Sequence, residues 1–128
     1  MKIKEFVARV RAGERVTFSE TMTTINEHYQ YIPSRFTNGV GVTRLVNEAG
    51  TNEGSCRIFS FARLNRLSPE HTLALFGDYY WKDVLEHPDG NDHGNIRTFM
   101  KHGWAGIAFD QEPLIRLNGA PSSSDDVA

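Results

Sequence analysis

The scarcest residue in this sequence is cysteine. Cys56 is the only one among 128 residues, which excludes an intrachain disulfide framework and a cysteine-rich zinc module. A chain of this length buries about two-thirds of its unfolded surface, so a core forms without such staples. Long apolar runs are also missing. The opening "MKIKEFVARVRAGERV" carries charge throughout and has no stretch of signal-peptide or membrane-span length. Cytoplasmic synthesis without Sec export, and no membrane partner, are expected. An excess of one charge sign is absent too: 14 basic and 16 acidic residues leave a net charge of −2. Nucleic acid is not an expected partner, because phosphate binding needs a clustered basic face. The early basic residues Lys2, Lys4, Arg9, Arg11 and Arg15 are interrupted by Glu5 and Glu14, as on a solvated helix face. No internal repeat occurs. The composition is that of an ordinary soluble single domain, and a monomer is expected.

What is present is mostly helical punctuation. Ile3, Phe6, Val7 and Val10 recur at helical spacing before Gly13. "TFSE" from Thr17 is a capping box, with Thr17 capping and Glu20 bonding back, and Pro33 closes the helix that follows. Residues 33–55 are rich in Gly and Asn and read as a long loop in which only "VTRLV" has strand character. Helical pattern returns at Ser55. Ser68-Pro69-Glu70 is a strong helix start. Leu73, Phe76, Tyr80 and Val84 share a face, and Gly77-Asp78 divides that segment, with Asp78 as the second cap. Asn91 or Asp92 caps a last helix, which Gly103 closes. The expected fold is mainly α: a compact helical bundle over residues 1–117 with a long Gly/Asn-rich loop and at most one or two short strands. The tail 118–128, small, polar and acidic, is expected to be disordered.

Two segments could carry chemistry. On a helical wheel Cys56 falls off the centre of the face made by Ile58, Phe59, Phe61 and Ala62. A thiol in a first helical turn gains thiolate character from the helix dipole, yet free cysteine is also a common core filler. The Gly54-Ser55-Cys56 step resembles, locally, the nucleophile segment of papain-like cysteine proteases; that likeness offers Cys56 as nucleophile, with Asn52 or Asn47 as oxyanion donors. A nucleophilic cysteine needs a base and an orienting group, and "EHPDGNDHGN" offers His87, His93, Asp89, Asp92 and Asn95. The same stretch imitates the front of a calcium loop, but Met100 stands where the bidentate Glu belongs. With neither CxxC nor HExxH present, no metal and no cofactor are expected. "DYYWKD" puts Tyr79, Tyr80 and Trp81 in a row, so at least one ring must line a groove or pack beneath the loop.

From about Phe18 to Phe109 the chain resembles the HopJ type III effector family. The resemblance rests on "LVNEAGTNEGSCRIFSFARL" and on "LFGDYYWKDVLEHPDGNDHGNIRTFMKHGW". It implies a small bacterial protein, made in the bacterial cytoplasm and injected into plant cells by type III secretion, with a role in virulence. It implies no defined reaction. The amphipathic start "IKEFVARVRAG" departs from an effector's flexible, Ser-rich beginning, and the insertion-like "GVGVTR" between Phe36 and Leu45 is expected to lengthen the loop before the candidate site.

Two functions are consistent with these features. The first is binding of a host or bacterial protein, or of a small ligand, in a groove formed by Asn47, Asn52, Gly54, Ser55, Tyr80, Trp81, Asn95 and Trp104. The second is a cysteine-dependent hydrolase or acyl transferase, with Cys56 attacking, His93 or His87 as base and Asp89 or Asp92 orienting it.

Overall fold

A computed structural model describes residues 1–117. Helix α1 (Ile3–Arg11) buries Ile3, Phe6, Val7 and Val10, the four positions that the helical spacing selects. Helix α2 (Phe18–His28) starts at the expected capping box: the Thr17 hydroxyl accepts from Glu20 N at 3.0 Å, and Thr17 N donates back to Glu20 at 2.9 Å. Helix α3 (Glu53–Leu64) crosses the middle of the molecule. Helix α4 (Pro69–Ala74) is capped by Ser68, whose hydroxyl accepts from His71 N at 3.1 Å. A π-helical turn covers Tyr79–Val84, and α5 spans Gly94–His102.

The bundle expectation is corrected by five short strands among the described residues. β1 (Tyr29–Tyr31) pairs antiparallel with β5 (Leu114–Arg116). β2 (Phe36–Asn38) lies between β3 (Leu45–Asn47) and β4 (Ala108–Phe109), antiparallel to both. The residues read as a long loop thus hold a hairpin whose turn includes a 3₁₀ segment at Gly41–Thr43. Each strand is only two or three residues long, below the length at which period-two alternation can be read. After α5 the chain makes a 3₁₀ turn at Gly103–Gly106 and reaches strand geometry at Ala108. The acidic tail lies outside the described residues.

The core is aromatic. Phe59 meets Phe36, Phe76 and Phe99 with ring centroids 4.9–6.0 Å apart, and Phe61 meets Phe6 and Tyr29 at 6.1 and 6.0 Å. Such tilted and edge-on pairs add to the gain from burial. Because α3 packs against α2, α4 and β5, nearly its whole circumference from Cys56 to Ala62 is buried. The wheel placing Cys56 off the core face assumed one buried face; a central helix is buried on nearly every side.

Gly77 fixes how α2 meets the segment after α4. Its φ is +61°, and a Cβ there would stand 2.6 Å from the Phe18 backbone N. Only glycine suits both conditions.

Candidate functional site

Helices α3 and α5 begin on the same cavity, which measures about 220 Å³ and opens to solvent. Asn52, Gly54 and Ser55 come from the start of α3; His93, Gly94, Asn95 and Ile96 come from the start of α5. Phe18, Phe76 and Tyr79 form the apolar side.

The two helix starts share an unusual backbone. Their caps, Asn52 and His93, are both left-handed, with φ of 49° and 51°. Asparagine and histidine tolerate this region better than most side chains. Neither cap side chain bonds its own helix's N–H groups, because each has another partner. Asn52 donates to Asn47 Oδ1 at 2.7 Å. His93 Nε2 lies 2.9 Å from Asp83 Oδ2. The leading N–H groups of a helix have no intrahelical acceptor, so both starts present donors to the cavity region.

Behind this wall lies a buried amide knot. Asn95 Nδ2 donates to Asn47 Oδ1 at 2.8 Å, and Asn47 Nδ2 returns a bond to Asn95 Oδ1 at 3.1 Å. Asn38 Nδ2 donates to Asn95 O at 2.9 Å and to Asn95 Oδ1 at 3.1 Å. Asn38, Asn47 and Asn95 are 0%, 3% and 8% exposed. The knot ties β2, β3, the cap of α3 and the first turn of α5 together, so the hairpin holds the site in place.

The apolar side is a stack of rings. Phe18 packs on Tyr79 with centroids 5.0 Å apart, and Tyr79 on His93 at 5.1 Å. Phe18 also crowds Gly54, where a Cβ would lie 2.9 Å from its ring. Tyr79 and Asp83 both belong to the π-helical turn, a feature frequent at functional sites. Asp83 can therefore orient the imidazole while Tyr79 stacks on it.

Arg97 locks the loop before α5. Its guanidinium donates to the Asp92 carboxylate at 2.6 Å and to the backbone carbonyls of Asp92 at 2.7 Å and His87 at 3.0 Å. That guanidinium holds the Asp92 carboxyl below its ordinary range. Asp83, Asp92 and His93 place one ligand-type atom each within 4.8 Å of one another, a geometry that absence of sequence motifs did not disclose. The guanidinium already neutralises one of the two carboxylates.

The sequence-selected residues divide clearly. Asn52, Gly54, Ser55, His93 and Asn95 line the cavity, and Asn47 stands behind them. Cys56 does not line it. Its sulfur is buried and donates to Ser34 O at 3.7 Å, and burial pushes the thiol pKa up. Cys56 N–H already bonds Asn52 O at 3.0 Å, so the residue falls inside the helical ladder and not at its open tip. Asp92, expected to cap α5, is held by Arg97 instead, and Asp78 makes no cap bond but pairs with Lys82 at 3.8 Å. His87 and Asp89 are exposed, and His87 offers its backbone carbonyl to Arg97. Trp104 donates its indole N–H to Leu67 O at 3.0 Å and packs on Phe99. Trp81 stacks beneath Arg15 and beside Tyr80. None of these three rings reaches the cavity. Sequence reasoning missed Phe18, Phe76 and Asp83, and of the three consecutive rings it selected Tyr80 and Trp81 where Tyr79 lines the cavity. Tyr79 was hidden because 3.6-residue spacing selects Tyr80, whereas a π turn closes i→i+5 bonds.

A family model for the HopJ type III effector protein matches residues 3–114. The chain belongs to the HopJ family. Among solved structures, the crystal structure of VPA0580, a protein of unknown function, is similar over 91% of this chain and 94% of its own. The two share 44% sequence identity, with a TM-score of 0.85. No curated protein matches the chain. Among the described residues, no helix is long and apolar enough to cross a membrane.

Proposed function

We propose that this HopJ protein binds a small organic ligand in the cavity between the starts of α3 and α5. The observation that carries this reading is the meeting there of polar groups from two distant segments, opposite a three-ring apolar wall. A concave site with an apolar lining and a few convergent polar groups is the usual form of a small-molecule pocket. The uncapped helix starts favour an acceptor-rich head, such as a carboxylate or ester carbonyl, with the ligand's apolar part against Phe18, Phe76 and Tyr79. The volume corresponds to about seven water molecules at ~30 Å³ each, which suits a ligand the size of benzoate. Delivery into a host cell by type III secretion, with a virulence role there, accompanies this reading and draws its support from the family. The buried, bonded sulfur of Cys56 gives no support to the cysteine-nucleophile alternative.

Ligand-observed NMR with benzoate, butyrate and phenyl acetate tests the pocket. Saturable binding is expected for the wild type. Tyr79→Ala should weaken it at least tenfold, since that ring is 44% exposed and can be removed without opening the core. Equal binding by the wild type and Tyr79→Ala would locate the ligand elsewhere.

A further inference from the structure

We propose that Ser55, His93 and Asp83 form a nucleophile, base and orienting acid that cleave small acyl esters in this cavity. The inference rests on the cavity being a ligand site, and it adds a reaction to that site. Attention falls naturally on the neighbouring cysteine, but the cavity receives the serine. Ser55 and His93 both line it, and the Ser55 side chain has no hydrogen-bond partner among the described residues. Asp83 Oδ2 lies 2.9 Å from His93 Nε2. When the imidazole donates its Nε2 proton to that carboxylate, Nδ1 becomes the basic nitrogen. A hydroxyl, a base and a group that orients the base are the parts of an activated nucleophile. The Tyr79 ring, 5.1 Å from the imidazole, restricts its rotation.

The chemistry balances without a further reagent except water. Ser55 Oγ adds to the ester carbonyl carbon as its proton passes to His93 Nδ1. Backbone N–H groups in the first turn of α3 are the donors for the oxyanion. The carbon–alkoxy bond breaks, and the leaving alcohol takes the proton from His93. Water then adds to the acyl-serine and gives a proton to His93, which returns it to Ser55 Oγ as the acid leaves. Asp83 is a positioning residue: it touches the base and not the substrate. Asp92 Oδ2, 3.8 Å from His93 Nε2, is the second carboxylate facing the ring. The Arg97 guanidinium sits on Asp92, and the Tyr79 phenol ring packs against the imidazole.

The test treats the full chain with an alkyl fluorophosphonate, which phosphonylates an activated serine with loss of fluoride, and follows phenyl acetate hydrolysis in parallel. The expected result is labelling at Ser55, located by peptide mass spectrometry. Ser55→Ala should abolish labelling and hydrolysis, and Cys56→Ala should leave both reactions in place. His93→Gln should slow them at least a hundredfold. Asp83→Asn should slow them at least tenfold and change the pH–rate profile, and Asp83→Glu should restore part of the rate. If the wild type binds benzoate but is neither labelled nor active, the catalytic assignment is overturned and the pocket reading stands. If benzoate binding, labelling and hydrolysis are all absent, both readings are overturned. Labelling that persists in Ser55→Ala also overturns the assignment.

Discussion

Cys56 is 1% exposed, and its surroundings are the Ser34 carbonyl, the Tyr31 hydroxyl and the side chains of Glu53 and Arg57. Burial outweighs the favourable bonds and raises the thiol pKa. The consequence for stability has a definite sign. Below the ordinary thiol value of about 8.5 the thiol is neutral in both states and Cys56 costs nothing. As pH rises beyond that value, the unfolded chain releases its proton first, and stability is lost until the folded thiol also titrates. Urea denaturation should therefore show wild-type stability falling more between pH 8 and pH 10 than that of Cys56→Ala. The same burial predicts that iodoacetamide reacts only through opening of the fold, at least a hundredfold slower than with a free thiol. Rapid stoichiometric alkylation of the folded protein at pH 7 would contradict this placement.

At the scale of elements, the amide knot predicts what holds the hairpin to the helices. Asn95→Ala removes three side-chain hydrogen bonds to the buried amides of Asn38 and Asn47, which are costly to leave underpaired. We expect a loss of about 2–3 kcal/mol, on the usual ~1–3 kcal/mol per unsatisfied buried group, measurable as a lower urea midpoint with an unchanged slope. The helices were legible in the sequence because their signals are local. Thr17 with Glu20, and Ser68 with Pro69, mark starts within four residues, and the apolar stripe of α1 repeats three times. The strands were not legible, because each is fixed by a distant partner: Phe36 by Asn47 and Phe109, and Tyr31 by Leu114. The site was legible in part. "NEGS" and "HGN" stood out by composition, and both line the cavity. Phe18 could not be placed by any local rule, since Gly54 accepts its ring from 36 residues away and Gly77 accepts its backbone from farther along the chain.

At the scale of the whole molecule, the cavity draws on positions from Phe18 to Ile96. A bound ligand stabilises the folded state by mass action, by about 2.7 kcal/mol when its free concentration is a hundred times Kd. A thermal-shift titration with benzoate should follow that logarithmic law, and a flat response would argue against binding to the native form. The knot at Asn47 adds a consequence in time. One side chain receives bonds from Asn52 and Asn95 while its strand pairs with β2, so the complete knot needs the hairpin and both helix starts in place. Contacts between such remote segments carry a loop-closure cost. A ligand that needs both helix starts is therefore expected to find no partner in the folding transition state. It should leave the refolding rate unchanged and slow unfolding by nearly its full stabilisation, so that occupancy acts as a brake on loss of structure and gives no help in acquiring it.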